Sequence, residues 1–207
     1  MTDPDFYLAS ASPRRRELLA QLGLQPQLLP LAPERAVDET PQPGEPPLVY
    51  VKRLARAKAL AGLDELDARG WSPAPVLGAD TTVALGAQIF GKPADTTEAE
   101  QMLLQLSGRA HQVLTAVALA LPGPAGPQVD LRVSVSTVRL REVPIEEARA
   151  YVASGEPFDK AGAYGIQGRA AAFIAHLEGS YSGVMGLPLF ETADLLAQSG
   201  IGIWKES

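Results

Sequence analysis

Short apolar runs alternate with amphipathic segments along most of the chain. Continuous apolar runs of this length predict strands, and apolar residues spaced three and four apart predict helices. The predicted strands are 6–9, 27–31, 76–85, 89–90, 111–121, 131–140 and 171–177, and the predicted helices are 13–23, 48–68, 97–108, 144–155 and 189–199. This order predicts one α/β domain over residues 1–207 with a mixed sheet and a ligand cleft at strand ends.

Two segments interrupt this pattern. Residues 32–47 are rich in proline and acidic residues, which predicts an exposed, mobile rim rather than a linker between domains. Glycines cluster between residues 162 and 186 around the predicted strand 171–177. Because glycine tolerates unusual backbone conformations and has no side chain, this cluster predicts a close approach of backbone to a ligand.

The first helix begins with an unusual charge pattern. Ser12 is the predicted N-cap and Pro13 the first helical residue, and Arg14, Arg15 and Arg16 follow directly. Cations in a first helical turn oppose the helix dipole, at a cost of roughly 0.3–1 kcal/mol each. A bound phosphate would offset that cost, since the helix start supplies N–H donors and arginine supplies bidentate ones. The alternative is a solvated basic helix end.

Composition narrows the range of partners. The 207 residues are 46% hydrophobic, the net charge is −6, and there is no cysteine. The acidic balance argues against a nucleic-acid polymer as partner, and a metal site would need oxygen or histidine ligands. We find neither a signal peptide in residues 1–5 nor a membrane-length apolar run, so we expect a soluble cytoplasmic protein without membrane association.

Several charged residues are candidates for chemistry. Asp80 follows an apolar strand run directly, a position typical of catalytic or metal-binding carboxylates, although an isolated aspartate there is more often a turn residue. Lys92 ends the hairpin that this strand begins, and Lys58 falls on the apolar stripe of its helix. Surface exposure of Lys92 and extension of Lys58 to solvent are the ordinary alternatives. Glu34 is a candidate second carboxylate for a divalent cation.

The remaining polar candidates have simpler interpretations. His111 and His176 lie inside predicted strands without a partner at ligand spacing, so we expect structural roles for both. Ser10 and Ser12 are better explained as phosphate hydroxyl donors than as nucleophiles. Neither a P-loop motif nor a G-x-G-x-x-G motif is present. Cations, carboxylates and a glycine-rich segment together favour a nucleotide ligand.

The order of motifs makes this expectation specific. The motifs are LASASPRRRELL at 8–19, LGADT at 77–81, GKP at 91–93, LSG at 106–108 with HQV at 111–113, DKAGAYGIQG at 159–168 and GLPL at 186–189. Together they closely resemble the Maf family of nucleoside triphosphate pyrophosphatases. The resemblance spans nearly the whole chain.

The resemblance implies a fold, a reaction and a set of site residues. The implied fold, like that of the inosine triphosphate pyrophosphatases, is a three-layer α/β/α arrangement with a long curved mixed sheet and a cleft between two lobes. The implied reaction is hydrolysis between the α and β phosphates with a divalent cation such as Mg²⁺, Mn²⁺ or Co²⁺. The implied proton acceptor is Asp80. The other implied residues are Arg14, Thr81 and Gln167 for substrate choice, and Ser10, Arg15, Lys58, Lys92 and Glu34 for phosphates or metal.

Within the family, the glycine-rich motif resembles the branch that acts on dTTP and UTP. The Gln167 amide suits a pyrimidine edge, because it can donate to a carbonyl and accept from the ring N–H. The alternatives are the 7-methyl-GTP branch, a non-enzymatic regulator of septum formation and a nucleotide sensor without turnover. A homodimer is a further expectation.

Overall fold

The computed structural model describes residues 4–204, so the first and last three residues of the predicted domain lie outside the described residues. The strands are β1 (Tyr7–Leu8), β2 (Gln27–Leu28), β3 (Val76–Leu85), β4 (Gln88–Phe90), β5 (Ala110–Leu121), β6 (Gln128–Leu140) and β7 (Ile174–Glu178). The α-helices are α1 (Pro13–Gln21), α2 (Pro47–Arg69), α3 (Thr96–Leu106), α4 (Ile145–Val152), α5 (Tyr181–Met185) and α6 (Leu189–Gln198).

The strands form one seven-stranded mixed sheet. Its order is β2-β1-β3-β5-β6-β7, with β4 paired to β3. β1 runs parallel to β2 and β3, whereas the β3–β5, β5–β6 and β6–β7 pairs are antiparallel. Long β3 and β5 therefore form the centre of the sheet, where buried strands are expected to be nearly continuous in apolar residues.

Helices cover both faces of the sheet. Since successive side chains of a strand point to opposite faces, Leu77 and Ala79 of β3 pack with α1 and α6, while Ala84 packs with α2. A third core cluster packs the β3–β4 hairpin against α3 and α4. The predicted α/β/α fold with a mixed sheet is confirmed.

The glycine-rich region differs from its prediction. The predicted strand 171–177 is a short 3₁₀ helix, Arg169–Phe173, followed by β7. Helix α5 was not predicted, because five residues carry too little periodicity to indicate a helix. Ser180 caps α5 by accepting a hydrogen bond from the Gly183 N–H.

The start of α3 also differs by two residues. The predicted capping box of Thr97 and Glu100 is wrong, since Asp95 is the N-cap and its Oδ1 accepts from the Glu98 N–H at 2.8 Å. The Glu98 carboxylate in turn accepts from the Ala94 N–H at 2.7 Å. A related pair of capping hydrogen bonds thus operates two residues earlier, with Glu98 accepting from the residue before the N-cap and aspartate favoured over threonine as the cap.

Helix α1 begins as predicted, with Ser12 as N-cap and Pro13 in the first turn. The Ser12 side chain makes no capping hydrogen bond. The Ser12 backbone N–H instead donates to Ser10 Oγ at 3.1 Å. Within residues 4–204, no helix combines the length and the apolar character needed to cross a membrane.

Candidate active site

A cleft of about 530 Å³ opens where β3 passes between α1, α2 and the 159–167 segment. The predicted site residues that line it are Ser10, Arg14, Arg15, Lys58, Asp80, Thr81, Lys92 and Gln167. Residues separated by more than 150 positions in sequence are thus brought into one cavity. Arg16 is exposed and outside the lining, as expected for a solvated charge.

At the centre of the cleft, Lys58 bridges two carboxylates. Its Nζ lies 2.7 Å from Asp80 Oδ1 and 2.6 Å from Glu39 Oε1. The second oxygen of Asp80 accepts from the Thr82 hydroxyl at 3.3 Å. Asp80 is only 6% exposed, so these contacts hold its carboxylate in a fixed orientation at the cleft wall.

Glu39 is ionised by its surroundings. Partial burial disfavours its charge, but the hydrogen bond and charge of Lys58, together with the charges of Lys92 and Arg15, outweigh burial and lower the pKa of Glu39. The loop that carries Glu39 is fastened to α2, because Tyr50 donates to the Glu39 carbonyl at 2.7 Å. Arg53 binds both oxygens of Glu45 at 2.7 Å in the same loop.

The geometry favours Glu39 over Glu34 as the second acidic residue of the site. Glu34 lies in a short 3₁₀ helix, Pro33–Arg35, where it is exposed and outside the cleft lining. The loop contains several acidic residues in similar sequence surroundings. Nothing in the local sequence separates them, so only the path of the loop over α2 identifies Glu39.

Arg15 connects the start of α1 to the opposite side of the cleft. Its Nε donates to the Gly186 carbonyl at 2.9 Å, and its guanidinium nitrogens lie 3.3 Å from Ser10 Oγ and 3.5 Å from Thr81 Oγ1. Burial lowers the pKa of Arg15, and the nearby charge of Asp80 opposes that shift. Arginine nevertheless stays cationic at neutral pH, so Arg15 supplies a fixed positive charge.

Arg14 and the glycine-rich motif meet at the cleft mouth. Arg14 Nη1 lies 2.7 Å from Asp159 Oδ2, and Lys160 Nζ lies 2.6 Å from Asp159 Oδ1. Burial tends to raise the pKa of Asp159, but its hydrogen bonds from Lys160 and Arg14 outweigh burial, so its pKa is lowered. Asp159 and Lys160 belong to the family motif but were not singled out as site residues.

Lys92 and Gln167 complete the lining of the cleft from the side of the β3–β4 hairpin and the glycine-rich motif. Both residues are exposed at the cleft. Lys92 follows β4, and Gln167 lies in the glycine-rich motif. Gly162 allows this motif to pass the hairpin closely, because a Cβ there would lie 2.9 Å from Val83 Cγ1. Its φ of +69° is also one that glycine adopts without strain.

The histidines have separate roles. His111 is 3% exposed and its Nε2 lies 2.7 Å from the Tyr164 hydroxyl, whereas His176 is exposed on β7. Burial lowers the pKa of His111 to about 4, so it is neutral at physiological pH. Neither histidine lines the cleft.

The acidic residues fit a hard divalent cation held jointly with substrate. Among residues 4–204, no three acidic or histidine side chains form a preassembled metal cluster. Mg²⁺ commonly uses one or two carboxylates and completes its shell with water and substrate phosphates. Asp80 and Glu39, which share Lys58, are two carboxylates in the cleft with the chemistry for such a role.

Comparison with known proteins finds a family model and relatives that match nearly the whole chain. The family model described as "Maf-like protein" matches residues 5–199. A dTTP/UTP pyrophosphatase of Aromatoleum aromaticum is 56% identical over 200 residues, covering 94% of this chain and 95% of the relative. A dTTP/UTP pyrophosphatase of Nitrosomonas europaea is 53% identical over 203 residues, covering 96% of both chains. One of Ralstonia nicotianae is 52% identical over 200 residues, covering 96% of this chain and 95% of the relative.

Proposed function

The chain belongs to the Maf family, and from this premise we propose that it hydrolyses dTTP and UTP to the nucleoside monophosphate and diphosphate. The observation that carries the proposal is the Asp80–Lys58–Glu39 cluster inside a cleft that is also lined by Arg14, Arg15 and Lys92. The relatives that bear the name dTTP/UTP pyrophosphatase support the choice of substrate.

In this proposal, the cations hold the triphosphate. Arg15 is fixed by the Gly186 carbonyl, so its guanidinium presents an oriented positive charge to the cleft. Lys92 adds a charge from the hairpin side. These positive charges stabilise the negative charge that accumulates on the diphosphate as it leaves, which lowers the barrier to hydrolysis.

Asp80 is the proposed proton acceptor. A water oxygen forms a bond to the α phosphorus, the bond from that phosphorus to the α–β bridging oxygen breaks, and the water proton passes to the Asp80 carboxylate. Lys58 and Thr82 hold that carboxylate in place. The diphosphate leaves with the bridging oxygen.

Asp80 and Glu39 would hold the divalent cation, for which Mg²⁺, Mn²⁺ and Co²⁺ are the candidates. When bound, such a cation supplies charge neutralisation at the phosphates. Glu39 is suited to this task because its carboxylate lines the cleft and shares Lys58 with Asp80.

Base choice is assigned to Arg14, Thr81 and Gln167. The Gln167 side chain can donate to a pyrimidine carbonyl and accept from the ring N–H. A homodimer in the cytoplasm is the proposed state of the protein, and sedimentation analysis of the purified chain tests the dimer.

A panel of triphosphates tests the function. Purified protein with Mg²⁺, Mn²⁺ or Co²⁺ should release diphosphate fastest from dTTP and UTP, and modified pyrimidine nucleotides such as 5-methyl-UTP and pseudouridine triphosphate belong in the panel. A clear preference for 7-methyl-GTP would overturn the substrate assignment. Absence of diphosphate release from every nucleotide would favour the regulator or the sensor instead.

Asp80→Asn tests the proton acceptor, because this substitution keeps the size of the side chain and removes the base. We expect turnover of dTTP to fall by roughly 100-fold to 10,000-fold, the range typical of a lost general base, while nucleotide binding by calorimetry persists. Unchanged turnover in this variant would contradict the mechanism.

A further inference from the structure

Two threonine hydroxyls link Arg15 to helix α5 through the sheet. Thr81 Oγ1 lies 3.5 Å from Arg15 Nη2 and 3.1 Å from Thr115 Oγ1. Thr115 Oγ1 lies 2.7 Å from the Gly183 carbonyl oxygen. Thr81 and Thr115 are direct cross-strand partners on β3 and β5, so their side chains share one face of the sheet. We call Thr81 and Thr115 the hydroxyl chain.

The two ends of the hydroxyl chain fix its direction. A guanidinium can only donate and a carbonyl can only accept, whereas each hydroxyl has one proton. The Thr115 proton therefore goes to Gly183, which leaves Thr115 Oγ1 as an acceptor for the Thr81 proton. Thr81 then presents only lone pairs to Arg15.

Thr115 is hidden from the cleft. It is 0% exposed and lies outside the cleft lining, whereas Thr81 and Arg15 both belong to that lining. Any influence of Thr115 on substrate must therefore pass through its neighbours. Arg15 also donates to the Gly186 carbonyl and to Ser10 Oγ, so Thr81 is one of three acceptors around the guanidinium. The positions of two of them, Thr81 and Gly186, depend on α5 and its C-terminal end.

We propose that Thr115 is a positioning residue that orients the Arg15 guanidinium toward substrate phosphates through Thr81. This inference rests on the proposed hydrolysis of dTTP and UTP. Without the Thr115 hydroxyl, the Thr81 proton loses its acceptor and is free to rotate toward Arg15, where donor would face donor. Arg15 then loses an acceptor and part of its fixed orientation, which weakens substrate binding.

The test compares Thr115 variants that differ in the hydroxyl. Thr115→Val keeps the shape, and the pair Thr115→Ser and Thr115→Ala differs only in the oxygen. Val and Ala should raise the KM for dTTP about threefold to tenfold, as expected for loss of one hydrogen bond, with kcat within about twofold, whereas Ser should restore the wild-type KM. Equal KM values for Thr115→Ser and Thr115→Ala would overturn the proposal. This comparison remains valid if Thr115→Val does not fold.

Two further variants separate positioning from stability. Thr192 is also 0% exposed, and its hydroxyl has no hydrogen-bond partner within residues 4–204, so Thr192→Val is the matched buried control and should leave KM unchanged. In a Thr81→Val background, Thr115→Val should add no further change in KM, because its effect passes through Thr81. An additional, additive change would contradict the hydroxyl chain.

Wild-type turnover of dTTP is measured first. If it is absent, the proposed function fails, and the hydroxyl chain is then tested by calorimetric binding of inorganic tripolyphosphate. Thr115→Val and Thr115→Ala should bind tripolyphosphate about threefold to tenfold more weakly than wild type, and Thr115→Ser equally well. Equal affinities in all four proteins would overturn the proposal independently of turnover.

Discussion

Lys58 shows how a single residue organises the chemistry of the cleft. An ammonium on the apolar stripe of a helix must either reach solvent or meet an anion, and here it meets Asp80 and Glu39 at 2.7 Å and 2.6 Å. Lys58 and Asp80 are largely buried, so removing either one leaves the charge of the other uncompensated, whereas half-exposed Glu39 is joined to this pair through Lys58. The cluster is therefore a unit rather than three independent contacts.

Glu39 and Glu34 form a natural matched pair for testing the metal proposal. Glu39→Gln should raise the Mg²⁺ concentration for half-maximal activity about tenfold to a hundredfold, the range typical when carboxylates around a metal site are lost. Glu34→Gln should leave it unchanged, because Glu34 is exposed and outside the cleft lining. Magnesium titrations of dTTP hydrolysis measure both, and an effect confined to Glu34→Gln would reverse the assignment.

Sequence could identify some of these residues but not others. Asp80 and Lys58 stand out because each is a charged residue among apolar ones. Asp80 follows an apolar strand run, and Lys58 lies on the apolar stripe of its helix. Glu39 gives no such signal, since its loop has no periodicity and several equivalent acidic residues. Thr115 is silent for a different reason: a buried threonine in a strand is ordinary, and only its cross-strand partner gives it a role.

Among the elements, the contact between α2 and β3 matters most for the site. Gly78 allows it, because a Cβ at this position would lie 2.5 Å from the Ala59 nitrogen and 2.8 Å from the Ala55 carbonyl oxygen. Such distances leave no room for a side chain against the helix backbone. The close approach places Lys58, one residue before Ala59, beside Asp80 of β3.

Gly78→Ala tests this coupling between packing and chemistry. The added methyl must push α2 away from β3, which we expect to cost about 1–3 kcal/mol of unfolding free energy and to lower kcat for dTTP by disturbing the Lys58–Asp80 pair. Urea unfolding and steady-state kinetics measure the two effects. Gly123→Ala, in the β5–β6 connection, is the control for glycine replacement, and a Gly78→Ala enzyme with wild-type kcat would refute the coupling.

Element boundaries were predictable where local chemistry decides them. Helix α1 starts at its Ser-Pro signal, whereas α3 is capped by Asp95, two residues before the predicted cap, because nearby polar residues offered competing caps. The 3₁₀ segments and α5 in the glycine-rich region are set by tertiary contacts with the hairpin and sheet. Local propensity alone does not specify them.

At the scale of the whole molecule, the fold class followed from the order of elements, but the strand order did not. β1 pairs with β3 across more than 60 residues, and β7 pairs with β6 at the far edge. Such long-range pairing depends on how the helices cover both faces, which periodicity does not encode. The cleft exists only because this order brings α1 beside β3 and the 159–167 segment.

Buried His111 makes the stability of the whole molecule depend on pH. Its pKa is about 4 in the folded chain, below its ordinary value of 6.5, so the unfolded chain binds the proton first. The contribution to stability is complete above about pH 6.5 and is lost as pH falls toward 4.

His111→Gln removes the titration and can keep a hydrogen bond to Tyr164. Between pH 8 and pH 5, the unfolding free energy of wild type should fall by roughly 2 kcal/mol more than that of the variant. Urea unfolding at the two pH values measures the difference. Parallel pH dependences would show that His111 is not the titrating group.

The most direct measurement of the central claim is the fate of the oxygen atom from water. Hydrolysis of dTTP in ¹⁸O-labelled water, followed by ³¹P NMR and mass spectrometry, identifies the phosphorus atom that is attacked. We predict dTMP and diphosphate in equal amounts, with the label in dTMP and none in diphosphate. Label in the diphosphate, or formation of dTDP and inorganic phosphate, would contradict attack at the α phosphorus in the Asp80 cleft.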